Sequence, residues 1–146
     1  MKIISLVFLI GLSFTYDRSA AIKYARTYCS SYHYNDFGME PDDARFVSQC
    51  MIAGGMNFRS CSVSWIDDHG CLPRVADLKS CLQQKGWKHS TTRPASFKAG
   101  YPIFLTTTSH AMLATGIQGG CVLFSAHSND RCDATICSNI KYYYEN

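Results

Sequence analysis

The chain has 146 residues, with 47% apolar and 17% charged residues and a formal net charge of +3. That is one domain's worth of ordinary globular material and leaves no room for two cores. The basic residues are scattered and the charge is small, which argues against nucleic acid or an anionic membrane surface as partner.

Lys2 follows Met1, and Ile3 to Phe14 is an almost unbroken apolar stretch. A short positive start and an apolar run of this length read as a secretory signal peptide, too short for a spanning helix. Small or short polar residues at Gly11, Ser13 and Thr15 place the cleavage just before Tyr16. The expected layout is therefore a leader over residues 1–15 and one secreted domain over 16–146, with no membrane segment once the leader is removed. All eight cysteines, Cys29, Cys50, Cys61, Cys71, Cys81, Cys121, Cys132 and Cys137, follow the leader. An even count behind a signal peptide implies up to four disulfides. Cys132 and Cys137 are the one pair close enough in sequence to suggest a local loop closure. No Cys-x-x-Cys pair is present, so neither zinc nor any other metal or cofactor is expected.

Tyr16 to Tyr28 has helical spacing at Ala21, Ile22, Ala25 and Tyr28, with Asp17 or Ser19 as cap. Ser30 to Asp42 breaks the pattern with Gly38 and Pro41 and reads as a loop. A second helix is predicted from Asp42 or Asp43 to the Gly54-Gly55 stop, with Phe46, Val47, Cys50 and Met51 as one buried stripe. Met56 to Leu72 is irregular. Pro73 then opens a third helix that ends at Gly86.

Beyond Gly86 the period changes to that of strands: Pro102 to Thr107, His110 to Ile117, Cys121 to His127 and Ile140 to Tyr144. Gln118-Gly119-Gly120 is a hairpin signal. Helices first and strands afterwards predict an α+β fold, with N-terminal helices packed on an antiparallel sheet from the C-terminal half. If Gln118 to Gly120 forms the turn, Ile117 faces Cys121, and His110 falls about level with His127 to Asn129. Alone, these histidines also read as strand-end residues bonded to backbone.

The segments Tyr16-Asp17-Arg18-Ser19-Ala20-Ala21, Asp42-Asp43-Ala44-Arg45-Phe46-Val47-Ser48-Gln49-Cys50 with Ala53-Gly54-Gly55, Asp77-Leu78 to Gly86-Trp87, Ser109-His110 and Ala126 to Arg131 keep a recognisable order. In that order they resemble the putative amidase domain family, a papain-like (NlpC-like) branch of cysteine amidases. The resemblance implies hydrolysis of C–N bonds by a thiolate at a helix N-terminus, where free N–H groups and the helix dipole lower the thiol pKa. It also implies a histidine base from the sheet and a polar group that fixes the ring. By match to the motif, His110 is the base and Asn129 the orienter, with His127 as the alternative. The family segment reads Asp-Cys-Thr-Asn-Phe-Val-Ser-Gln; here Asp43 stands on the nucleophile position, Ala44 on Thr and Arg45 on Asn.

An aspartate at a helix start has a structural use, accepting bonds from the first N–H groups and meeting the positive end of the dipole. Cys50 lies two turns on, about 10 Å along the helix, and cannot replace the missing thiol. The expectation is a secreted, monomeric pseudoenzyme that still takes a peptide or bacterial cell-wall peptide. The rivals are an active amide hydrolase with a non-standard nucleophile and a non-enzymatic, disulfide-stapled interaction protein.

Overall fold

A computed structural model describes residues 15–33, 42–105 and 110–146. The apolar leader, Glu40-Pro41 and Thr106 to Ser109 lie outside the described residues. Helix α1 (Arg18–Tyr28) is capped by Asp17, whose carboxylate accepts from the Ala20 N–H at 3.0 Å. Its inward positions are Ala21 and Ala25, both fully buried, and side chains this small let α1 lie close against its neighbour.

That neighbour is α2 (Asp43–Ala53), whose first nine residues, Asp43 to Met51, are all buried. The predicted single stripe is therefore too narrow, because α2 is covered on every side. A helix in that position must pair each polar side chain it carries. Arg45 meets Asp67 at 2.6 Å. Ser48 Oγ donates to the Arg45 carbonyl and accepts from the Leu72 N–H. These bonds hold the loop before α3 (Val75–Gln84) against the central helix.

The helices cover a six-stranded, wholly antiparallel sheet: β1 (Lys88–Ser90), β2 (Pro102–Leu105), β3 (Ala111–Gln118), β4 (Cys121–Ala126), β5 (Arg131–Ile136) and β6 (Ile140–Glu145), in the spatial order β1-β6-β2-β3-β4-β5. This is the α+β arrangement the sequence predicts. Two strands are additional to the sequence reading, β1 and β5. Both are edge strands; the Arg-Cys-Asp-Ala-Thr-Ile of β5 alternates polar and apolar residues, but it is short and mostly exposed, and its apolar set is only Cys132, Ala134 and Ile136.

The β3–β4 hairpin reaches its register by an unpredicted route. Its turn is only Gly119-Gly120, so Gln118 pairs with Cys121 and Ile117 with Val122 rather than with Cys121. A bulge between Ala114 and Gly116 then adds Thr115 and returns the pairing to Leu113 opposite Ser125. Thr115 turns its hydroxyl to Asp133 and its carbonyl to Arg26 of α1. Carried outward, this register sets Ala111 level with His127 and His110 level with Ser128, inside the range the sequence reading gives.

Three disulfides join Cys29 to Cys132, Cys61 to Cys81 and Cys121 to Cys137. The expected Cys132–Cys137 closure is thus not made, because the two residues stand at opposite ends of the extended strand β5 and each reaches a different element. Cys50 lies outside these bridges in the core, where burial, and secondarily Cys71, pushes its thiol well above the usual range.

Candidate functional site

Two adjacent aspartates open α2, and each meets a histidine from the sheet. Asp42 is the N-cap, with φ −104° and ψ −6° and no side-chain capping bond. Asp43 occupies the first turn but does not cap the helix either, contrary to the sequence reading. Its Oδ2 accepts from the Ala111 N–H at 3.1 Å and lies 3.0 Å from His110 Nδ1. The negative charge still meets the positive helix end, but the hydrogen bonds go to the head of β3. Since a carboxylate supplies only acceptors, His110 Nδ1 is the donor. Asp43 is 5% and His110 21% exposed at the side chain.

The second pair is deeper. His127 Nδ1 lies 2.5 Å from Asp42 Oδ2, and its Nε2 lies 2.5 Å from the Tyr28 carbonyl. Phe46, one turn beyond Asp42, stacks on the ring at 3.9 Å. Neutral imidazole has one N–H, so two acceptors hold this ring as the doubly protonated cation. Burial by itself lowers the His127 pKa, but the Asp42 bond, the Tyr28 carbonyl and the charges of Asp42 and Asp130 outweigh it and raise the value above normal. Ser128 Oγ also accepts from the Asp42 N–H, which ties the turn after β4 to the start of α2. Among the described residues, the buried Asp42 Oδ1 has no hydrogen-bond partner.

Of the four residues singled out from sequence, the fold brings Asp43 and His110 into direct contact. His127 sits beside them but serves Asp42, not the His110 ring. Asn129 lies exposed in the β4–β5 turn, where its side chain accepts from Arg131 at 3.2 Å. No His110–Asn129 bond joins them among the described residues. Sequence reasoning missed Asp42, the Ala111 N–H and the Tyr28 carbonyl. The Asp-Asp doublet ahead of α2 was the one available signal; backbone groups leave none. Among the described residues, no cluster of three or more His, Cys, Asp or Glu side chains could hold a metal ion.

The first turn of α2 thus faces an imidazole from the antiparallel sheet. The model of the family described as "Putative amidase domain" matches residues 15–144, and the chain belongs to that family. Among solved structures it is similar in fold to Ly7917 with the hydrolyzing product of MDP, at 14% identity and a TM-score of 0.53, covering 87% of this chain and 61% of that one. A second Ly7917 structure matches at 15% identity and a TM-score of 0.53, covering 88% and 61%. The chain thus spans about three-fifths of the length of these neighbours. No protein of curated function matches it.

Proposed function

We propose that this is a secreted, papain-like amidase homologue that has lost the thiol reaction and binds a peptide or peptidoglycan fragment at the start of α2. The observation that carries the reading is the Asp43 carboxylate 3.0 Å from His110 Nδ1. By resemblance, this is where a nucleophilic thiol would meet its base. A carboxylate that attacked an amide would form a reactive anhydride, and Asp43 is already engaged by two donors. Covalent acyl transfer through this side chain is therefore disfavoured.

Three disulfides fit an extracellular protein, and among the described residues no helix is long and apolar enough to cross a membrane. Tyr16 is packed in the core and the family match begins at residue 15, so the apolar leader falls ahead of the domain. Both facts support export with cleavage before Tyr16. The ligand class rests on the neighbour Ly7917, solved with the hydrolyzing product of MDP, muramyl dipeptide.

Asp43→Cys tests the site. The introduced thiol is expected to react with iodoacetamide at least about ten-fold faster than an ordinary surface thiol, and His110→Ala in the same background should abolish the difference. Calorimetric titration with muramyl dipeptide tests the ligand. Slow labelling together with no binding would favour the disulfide-stapled interaction protein instead.

A further inference from the structure

Replacing a thiol by a carboxylate fills the nucleophile position, but it also gives His110 an orienting partner. Asp43 Oδ2 is bonded to the N–H of Ala111, the residue next to His110, as well as to the ring. One carboxylate oxygen thus grips both the backbone and the side chain at the head of β3, so the ring's orientation is set by the fold. With Nδ1 as donor, neutral His110 carries its lone pair on Nε2. Nε2 makes no hydrogen bond among the described residues, and the side chain is 21% exposed. A carboxylate behind Nδ1 and, on a partly exposed ring, an Nε2 lone pair in front form the base half of a Ser-His-Asp site.

From this geometry we propose that Asp43 and His110 form a water-activating dyad that hydrolyses acyl esters and, more slowly, amides. The proposal goes beyond the binding reading: it uses the same residues but needs neither a thiol nor a cell-wall ligand. Water supplies the nucleophile. Its oxygen bonds to the acyl carbon while His110 Nε2 takes its proton, and the carbonyl π electrons move to oxygen. As the tetrahedral intermediate collapses, the C–O or C–N bond breaks and the imidazolium returns the proton to the leaving alcohol or amine. One water is consumed per bond, and no oxidant, reductant or covalent enzyme adduct is involved. Asp43 touches no substrate atom; it is a positioning residue that holds the tautomer and stabilises the imidazolium. The first turn of α2, which Asp42 leaves without a side-chain cap, is where the oxyanion would rest. Esters lead because an alkoxide or phenolate leaves more readily than an amine.

The test uses the disulfide-intact mature chain and p-nitrophenyl acetate. Expected are turnover in a single phase without a burst, an unchanged rate after treatment with a thiol-blocking reagent, and a rate about two-fold lower in D2O. His110→Gln should lower the rate at least about ten-fold, and so should Asp43→Asn, through the wrong tautomer. His89→Gln, on an edge strand, should leave it unchanged. A wild-type rate in His110→Gln overturns the proposal. So does a burst with an acetylated protein mass, or the absence of an isotope effect. The last two are read on the wild-type chain and hold even if a variant folds poorly. Muramyl dipeptide titration on the same samples separates the readings: binding without turnover sinks the dyad alone, and turnover without binding sinks the ligand assignment alone.

Discussion

His127 shows how one side chain can hold three elements. Its Nδ1 bond goes to the cap of α2, its Nε2 bond to the carbonyl of Tyr28 at the end of α1, and the residue itself follows β4. Both bonds need the ring protonated. Its folded-state pKa lies above the ordinary 6.5, because the acceptors outweigh the burial that opposes charge. The stability it contributes is therefore fully present below about pH 6.5 and is lost as pH rises through the folded-state value. Denaturant titrations of wild type and His127→Gln between about pH 5 and about pH 9 should show the gap in unfolding free energy largest at the acid end and shrinking toward the alkaline end. A gap that widens with pH would mean the ring is held neutral.

Helix α2 positions the Asp42–Asp43 doublet, and its far end is anchored to α1. The Gly54 carbonyl accepts from the Asp17 N–H at 2.9 Å, and Tyr16 closes over the junction. A Cβ on Gly54 would stand 2.6 Å from Tyr16 Cε2 and 2.8 Å from the Asp17 carbonyl oxygen. The demand at Gly54 is for space, since its φ is −78°, whereas Gly55 supplies the left-handed turn at φ +96°. Gly54→Ala is expected to lower unfolding free energy by about 1–3 kcal/mol in a urea titration. Because Asp17 is backbone at the contact, repacking one side chain cannot relieve it. The glycine pair was legible in the sequence as a helix stop; the second duty of Gly54 was not, since Tyr16 lies far from it in the chain.

Across the whole molecule, the bridge with the longest reach is Cys29–Cys132, which spans 103 residues and ties the end of α1 to β5. The other two span 20 and 16 residues. Since loop-closure entropy grows with loop length, the long bridge restrains the unfolded chain most. Removing it by Cys29→Ser with Cys132→Ser should cost about 2–5 kcal/mol, more than losing the Cys121–Cys137 pair by the same substitutions. Equal losses in guanidinium titrations would assign the effect to native-state contacts instead.

What sequence alone determined is what local chemistry writes into a chain: the apolar leader, an even cysteine count, three helices with their stops, and a strand period after Gly86. It also carried an ordered set of segments that pointed to an amidase-type α+β fold, with Asp43 and His110 at its centre. Tertiary structure decided the partners. A hydrogen bond depends on where two distant segments meet, and no period or propensity encodes that distance. Hence Asp43 faces β3 and leaves its own helix uncapped, His127 serves Asp42, Asn129 lies with Arg131 in a turn, and Cys132 crosses to Cys29. The contact between Asp43 and His110 joins residues 67 positions apart, and it exists because the start of α2 packs against the head of β3, where Asp43 also takes the Ala111 N–H.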